Sequence, residues 1–406
     1  MKVVGIIAEY NPFHNGHLYH LAESKRISGA DVCVAVMSGN FTQRGEAALF
    51  NKWERAKVAV DCGVDLVFEL PFVYACNNAE YFAKGAISVL NGLSCVDAVS
   101  FGSESGDIGE LYRAAFVVSS ESDEFKEALF LNLKTGVSYP KARANAVRLV
   151  AGEKTAGILS HPNNVLAVEY LKQLITTKSG IAPITVKRKG SGYNSVTLGK
   201  GHASAAAVRS SLENGGIDSV RGHVPAECFD CLKSINIDVN KIINNMFLLL
   251  AARVLTESEE GLSEIISAGE GLGNKLKKVM RDSRGLEDLI TKIKSKRYTR
   301  TRVQRLLIHT LMNLSAFDFN RMEESGAKYA RALAFNDKGA ALLKKIKKGG
   351  PEIPVITNIN KQARDDDEIA FALKYDILAS DLYNLISGAE IRAKSDYLVS
   401  PYYKNG

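Results

Sequence analysis

The sequence is poor in features that would fix a compartment or a cofactor by themselves. It has six cysteines in 406 residues, Cys33, Cys62, Cys76, Cys95, Cys228 and Cys231, mostly inside apolar patterns. Only Cys228 and Cys231 are closely spaced, as CFDC. One C-x-x-C without a second pair argues against a zinc ribbon or a disulfide framework, so buried or incidental thiols in a reducing compartment are expected. No basic n-region followed by an apolar h-region opens the chain. No apolar run approaches the roughly 20 residues of a membrane span, so a soluble, cytoplasmic protein without membrane contact is expected. The sequence has no G-x-x-x-x-G-K-[ST], no internal repeat and no low-complexity tail. These absences exclude the Walker phosphate loop and solenoid architectures. Histidine is also scarce, at seven residues.

What is present is ordinary globular material: 46% apolar and 24% charged residues, in a chain long enough for two or three domains. The charge is unevenly placed. Residues 275–348 carry 20 Lys or Arg against 7 Asp or Glu, a local +13 within a net +7. The rest of the chain is therefore mildly acidic.

The first hundred residues alternate short valine-rich runs, at 2–9, 31–37, 65–70 and 96–101, with helically spaced stretches at 17–27, 52–62 and 79–90 whose outer faces are charged. That rhythm predicts an α/β fold with a doubly wound parallel sheet. Residues 107–152 read as helices with a turn at 120–123, and 164–177 as a helix leading to a fifth strand at 184–188. The glycine-rich stretch 189–204 reads as a mobile surface loop, and 204–212 as helix. Beyond a boundary at 215–225 the pattern turns mainly helical, at 241–255, 262–266, 272–279, 286–293 and 300–314. Strands are expected there only at 329–335 and 353–357, with a helix between them. Two domains are expected: 1–215, bearing a catalytic site, and 225–406, mainly helical and basic, with a small strand-containing part near 329–357.

Two of the seven histidines lie in NPFHNGHL, residues 11–18, at the end of the first strand. In an open α/β sheet, ligands bind where strand ends lead into helix N-termini, and a helix start favours an anion. His14 and His17 there are candidate catalytic donors flanking a phosphate, with Gly16 allowing close approach of the backbone. Two other readings stay open. The histidines cap a surface helix, or they ligate zinc, for which no third ligand has an obvious spacing.

H-N-G-H after an apolar strand and N-P-F resembles the HxGH signature of the HIGH-type nucleotidyltransferase superfamily. GIIAEYNPFHNGHLYHL, MSGNFTQRGEAALFNKWERAKVAVDCGVDLVFELP, SFGSES, HPNNVLAVEYLK and ASAAAVR follow in an order similar to that of the tRNA(Met) cytidine acetate ligase family. The match is dense over 1–212 and looser beyond. The resemblance implies a Rossmann-like HIGH nucleotidyltransferase sheet. It also implies a two-step reaction: acetate attacks the α-phosphate of ATP to give acetyl-adenylate and pyrophosphate, and the exocyclic amine of the wobble cytidine of elongator tRNA(Met) then takes the acetyl group.

By the same resemblance, ATP is held by Ile7, Ala8, Glu9, Tyr10, Asn11, Pro12, Phe13, His14, Asn15, Gly16, His17, Leu18, Tyr19 and His20, with Gly102, Asn163 and Arg188. Two positions depart from the superfamily pattern: Asn11 stands where an aspartate is common, and Ala206 where a threonine is common. Mg2+ is expected to arrive on the ATP phosphates, with no metal site in the protein itself. Asn40, Gln43 and Arg44, in the loop after the second strand, and Ser204 and Arg209 are candidate acetate or phosphate contacts.

KSKRYTRTRVQR, residues 294–305, places Lys294, Lys296, Arg297, Arg300, Arg302 and Arg305 around Tyr298. Such a run is a solvated helix face or, given the nucleotide site on the same chain, an RNA-binding surface on which the tyrosine stacks on a base. A small-molecule nucleotidyltransferase and a catalytically silent RNA-binding protein are the alternative functions.

Overall fold

The computed structural model describes residues 1–188, 203–235, 237–360, 363, 365–390 and 396–405. Most of the stretch expected as a glycine-rich loop, 189–202, lies outside them.

The valine-rich runs form β1 (Val3–Ala8), β2 (Val32–Ser38), β3 (Leu66–Leu70) and β4 (Ala98–Ser103), joined by β5 (Ala182–Lys187) in parallel register, with Ala8 opposite Met37 and Gly102 opposite Val186. Strand residues alternate between the two faces of the sheet, as the two-residue period requires. Val32, Val34 and Val36 enter one core; Cys33, Ala35 and Met37 enter the other. The first core is covered by α4 (Ala79–Gly92) and α8 (Pro162–Thr176). The second is covered by α2 (Lys52–Asp61) and α9 (Ala205–Gly215). The helix α1 (Asn15–Ser28) connects β1 to β2, and α3 (Phe72–Ala75) is a single turn after β3. The expected all-helical insert is α5 (Ile108–Ser120), α6 (Asp123–Lys134) and α7 (Tyr139–Ile158).

After α10 (Ala226–Ser234) come α11 (Val239–Thr256), α12 (Glu259–Ser263), α13 (Leu272–Met280), α14 (Leu286–Ile293), α15 (Arg300–Leu311) and α16 (Ala316–Glu324), which extend the first core. The strand-containing part then behaves differently from its expected place in a separate region. β6 (Ala330–Asn336) pairs antiparallel with β3. After α17 (Asp337–Gly349), β7 (Val355–Ile356) and β8 (Tyr402–Lys404) add to β6. Among the described residues this gives one eight-stranded sheet in the order β5-β4-β1-β2-β3-β6-β7, with β8 also on β6. The last long helix is α18 (Asp367–Ser387).

A second difference explains how the two ends of the chain are joined. Lys52 and Arg55, on a helix expected to present its charges outward, are fully buried. The Lys52 ammonium bonds both Glu69 carboxylate oxygens, at 2.6 and 2.8 Å, and Asp396 at 2.7 Å, and Arg331 of β6 donates to Asp396 at 2.6 Å. These buried charges are tolerated because each faces an opposite charge. Arg55 instead bonds backbone carbonyls of Glu9, Gly39 and Phe50, fastening the carboxyl ends of β1 and β2 to α2. No described helix is long and apolar enough to cross a membrane.

Candidate active site

The strand order turns outward in both directions from β1, so a crevice opens at the carboxyl ends of β1 and β4. The sequence after β1 fills it. Tyr10 adopts a left-handed φ of 48°, the Asn11–Pro12 peptide is cis, and the chain enters α1 with His14 as N-cap. The two histidines do cap that helix, which was the competing reading of their role. Nδ1 of His14 accepts from Gly16 N at 3.0 Å, and Nδ1 of His17 accepts from His14 N at 3.2 Å, a capping box built from imidazoles. The rings stack with centroids 3.7 Å apart. The two roles are compatible, because an imidazole whose Nδ1 accepts carries its proton on Nε2. Each ring thus keeps one N–H donor while its other nitrogen holds the helix start.

Burial, with the charges of His14, Arg188 and His20 adding to it, keeps His17 well below the ordinary histidine pKa. Burial and Arg188 push His20 down to about 4. Burial raises the Glu9 carboxyl, opposed by the Gln43 N–H it accepts at 2.7 Å and by Arg209. The crevice therefore combines neutral histidine donors with fixed guanidinium groups.

Of the expected nucleotide segment, Ile7, Ala8, Glu9, Tyr10, Asn11, His14, Gly16, His17, Tyr19 and His20 line the crevice, as do Gly102, Asn163 and Arg188. Four others do not. Phe13 is buried against Tyr10, Asn15 donates to Gly222 O at 3.1 Å, Leu18 is exposed, and Pro12 is buried in the turn between β1 and α1. Asn163 lies one residue inside α8, whose N-cap is His161. It donates through Nδ2 to Glu104 at 2.6 Å, so Glu104 fixes the start of α8 against the end of β4. Arg188 follows β5, its backbone N–H tied to Ser103 O at 2.9 Å.

Gln43 and Arg44 line the opposite wall, with Ser204 and Arg209 from the start of α9. Asn40 does not belong there. It is buried, accepting from Lys52 N at 2.7 Å and donating to Ser380 at 3.2 Å, because it anchors the first turn of α2. Arg209 reaches the nucleotide turn directly, Nη1 donating to Asn11 O at 2.7 Å and Nη2 pairing with Glu46 at 3.3 Å. Asn11 is itself committed, its Oδ1 accepting from Leu49 N at 2.8 Å.

The sequence reading missed Thr42, Glu46, Phe82, Phe101, Leu166 and Tyr170, all of which line the crevice. Leu166 and Tyr170 carried a usable signal, since they follow Asn163 at i+3 and i+7 and share its helix face. Phe82 had none, being brought in by the packing of α4.

The basic array sits on α15 and the turn before it. Lys294, Lys296, Arg297 and Arg300 are exposed. Arg297 pairs with Glu270 at 2.6 Å, Arg302 with the same carboxylate at 3.3 Å, and Arg300 with Glu287. Arg302 covers one face of the Tyr298 ring at 4.9 Å. Surface pairs of this kind contribute about 0–1 kcal/mol, so a polyanion competes for the cations at little cost. Arg305 differs from the others: it turns inward and donates to Gln43 O at 3.2 Å. Among the described residues, no group of three His, Cys, Asp or Glu side chains is placed to hold a metal.

Comparison with known proteins agrees with this geometry. A family model described as HIGH Nucleotidyl Transferase matches residues 1–396. A tRNA(Met) cytidine acetate ligase of Caldicellulosiruptor saccharolyticus is 45% identical over 388 residues, covering 95% of this chain and 94% of the relative. One from Alkaliphilus metalliredigens is 40% identical over 421 residues, covering 100% and 99%. Two crystal structures of Thermotoga maritima TmcAL, each 31% identical and aligned over all of both chains, superpose on it. The apo form gives a TM-score of 0.93 and the form bound with alpha-thio ATP 0.90.

Proposed function

This chain belongs to the HIGH nucleotidyltransferase family, among its tRNA(Met) cytidine acetate ligases, and from that premise we propose which of its groups carry the two steps of the reaction. It is an ATP-binding ligase that modifies tRNA. In the first step a carboxylate oxygen of acetate bonds to the α-phosphorus of ATP as the bond to the pyrophosphate oxygen breaks. Negative charge builds on the phosphate oxygens. The Nε2–H groups of His14 and His17, the positive dipole end of α1 and the guanidinium groups of Arg188 and Arg209 stabilise it. Neutral histidines suit that task, because they donate without having to be discharged at neutral pH.

In the second step the exocyclic amine of the wobble cytidine of elongator tRNA(Met) attacks the acetyl carbonyl, AMP leaves, and the amine loses a proton. Gln43 and Arg44 face the crevice from the wall opposite Gly102, Asn163 and Arg188, and we assign the acetate carboxylate to them. Mg2+ carried by ATP would supply charge neutralisation of the leaving pyrophosphate, with no residue of the chain required to hold it. Residues 1–215 supply the adenylation site. Residues 225–406 supply the tRNA surface, through Lys294, Lys296, Arg297, Tyr298, Arg300 and Arg302.

The observation that carries this reading is the pair of stacked, Nδ1-accepting histidines at the start of α1, lining the crevice together with Arg188 and Arg209. The test is ATP–pyrophosphate exchange without tRNA. Exchange that depends on added acetate is expected; exchange indifferent to acetate, or none, would refute the assignment.

A further inference from the structure

The helix that carries the basic array also has an inward side. Gln304 of α15 is buried, at 7% exposure, and donates Nε2 to Glu46 Oε1 at 3.1 Å. Next to it, Arg305 holds the carbonyl of Gln43. Between them Gly45, at φ 77°, lies so close to the helix that a Cβ there would fall 2.4 Å from the Arg305 backbone nitrogen. The loop that forms one wall of the crevice is thus seated on α15. The second oxygen of Glu46 faces Arg209 at 3.3 Å, and Arg209 donates to the carbonyl of Asn11 in the nucleotide turn at 2.7 Å. Gln304, Glu46, Arg209 and Asn11 form one continuous line of hydrogen bonds from the basic helix to the turn that leads into the two histidines.

The aim of Arg209 matters more in this chain because Ala206, one turn earlier on the same helix, offers no hydroxyl to a phosphate. A guanidinium donates through a planar fork, so its orientation decides whether it meets a phosphate at all. We propose that Gln304 and Glu46 are positioning residues that set the Arg209 guanidinium toward the ATP phosphates, so that the seating of α15 and the geometry of adenylation are linked. This rests on the reading above that the crevice adenylates acetate. Gln304 does not line the crevice, so its effect is exerted through Glu46 and the loop.

The experiment uses the full chain and acetate-dependent ATP–pyrophosphate exchange without tRNA, with melting curves to establish folding. If the wild-type chain shows no acetate-dependent exchange, the functional reading itself fails before any variant is compared. Given that exchange, Gln304→Glu sets two carboxylates against each other. It is expected to raise KM for ATP about tenfold, the size of coupling found within one hydrogen-bonded network. Adding Glu46→Gln re-forms the amide–carboxylate pair in reverse and should recover most of that loss. Gln304→Leu, similar in size and uncharged, provides the same test if the charged variant does not fold, and should raise KM for ATP about threefold or more. Wild-type exchange constants in the folded variants, or no recovery in the double variant, would each overturn the proposal.

Discussion

His17 uses its two ring nitrogens for different purposes, and the two functions can be separated by substitution. Asn in its place reproduces the Nδ1 acceptor and keeps the cap without reaching as far as Nε2, whereas the longer Gln approximates the Nε2 donor. His17→Asn should therefore melt near the wild type but lose about 100-fold or more in exchange rate, the usual cost of removing one charge-stabilising donor. His17→Gln should keep more of the rate and also melt near the wild type, since Gln at this position can still accept from the His14 N–H. Equal effects of the two substitutions on rate would contradict the division. The pH dependence follows from the same burial. His17 is held well below its ordinary pKa and His20 at about 4, so the exchange rate should show no titration of His17 or His20 between pH 6 and 8.

Stability should respond to pH differently from rate. His309, buried between Ser267 and the Cys76 carbonyl, is pushed to about 4 by burial, opposed by its bond to that carbonyl. Its folded pKa lies below the unfolded one, so its contribution is intact above about pH 6.5 and declines as pH falls toward 4. Urea midpoints should fall over that window, and His309→Gln should flatten the fall. At this scale the HNGH tetrad was legible, because strand, turn and helix N-terminus are written in consecutive residues. Glu46 was not, since a lone carboxylate in a loop has no period and its partners lie 163 and 258 positions away.

Among the elements, α15 has an outer face that we assign to RNA and an inner face seated on the crevice loop. The alanine double variant at Arg297 and Arg300 should lower the slope of log Kd for tRNA against log salt by about 2, roughly one for each phosphate no longer neutralised, and leave tRNA-free exchange unchanged. Arg305→Ala should do the opposite, keeping the slope and impairing exchange. If Arg305→Ala shifts the slope as much as an outer arginine does, the inward assignment is wrong. The sequence placed all three in one basic run because charge alone does not tell which way a side chain turns. The first four parallel strands were readable from their short valine-rich runs, and the fifth from its place after a helix. The pairing of β6 with β3 was not, because antiparallel partners more than 260 residues apart leave no local pattern, and β8 is too short to show a period.

For the molecule as a whole, the buried cluster of Lys52, Glu69, Arg331 and Asp396 ties a late segment of the chain to the sheet that carries the crevice. Burial disfavours the Asp396 carboxylate, but the cations of Lys52 and Arg331 outweigh it and hold the group below its ordinary pKa. Asp396→Ala leaves two buried cations to share Glu69 and should cost about 3–5 kcal/mol in a urea titration. A loss under about 1 kcal/mol would show that the cluster is not closed in solution. The same closure, with α15 seated on the crevice loop, joins the proposed tRNA surface to the proposed adenylation site.

The most direct measurement incubates the full chain with elongator tRNA(Met), ATP and carbon-13-labelled acetate, then digests the tRNA to nucleosides for mass spectrometry. Labelled N4-acetylcytidine is expected at the wobble position, formed only when ATP and acetate are both present and suppressed by His17→Asn. Unlabelled acetylcytidine, labelled product formed without ATP, or no acetylcytidine at all would contradict it.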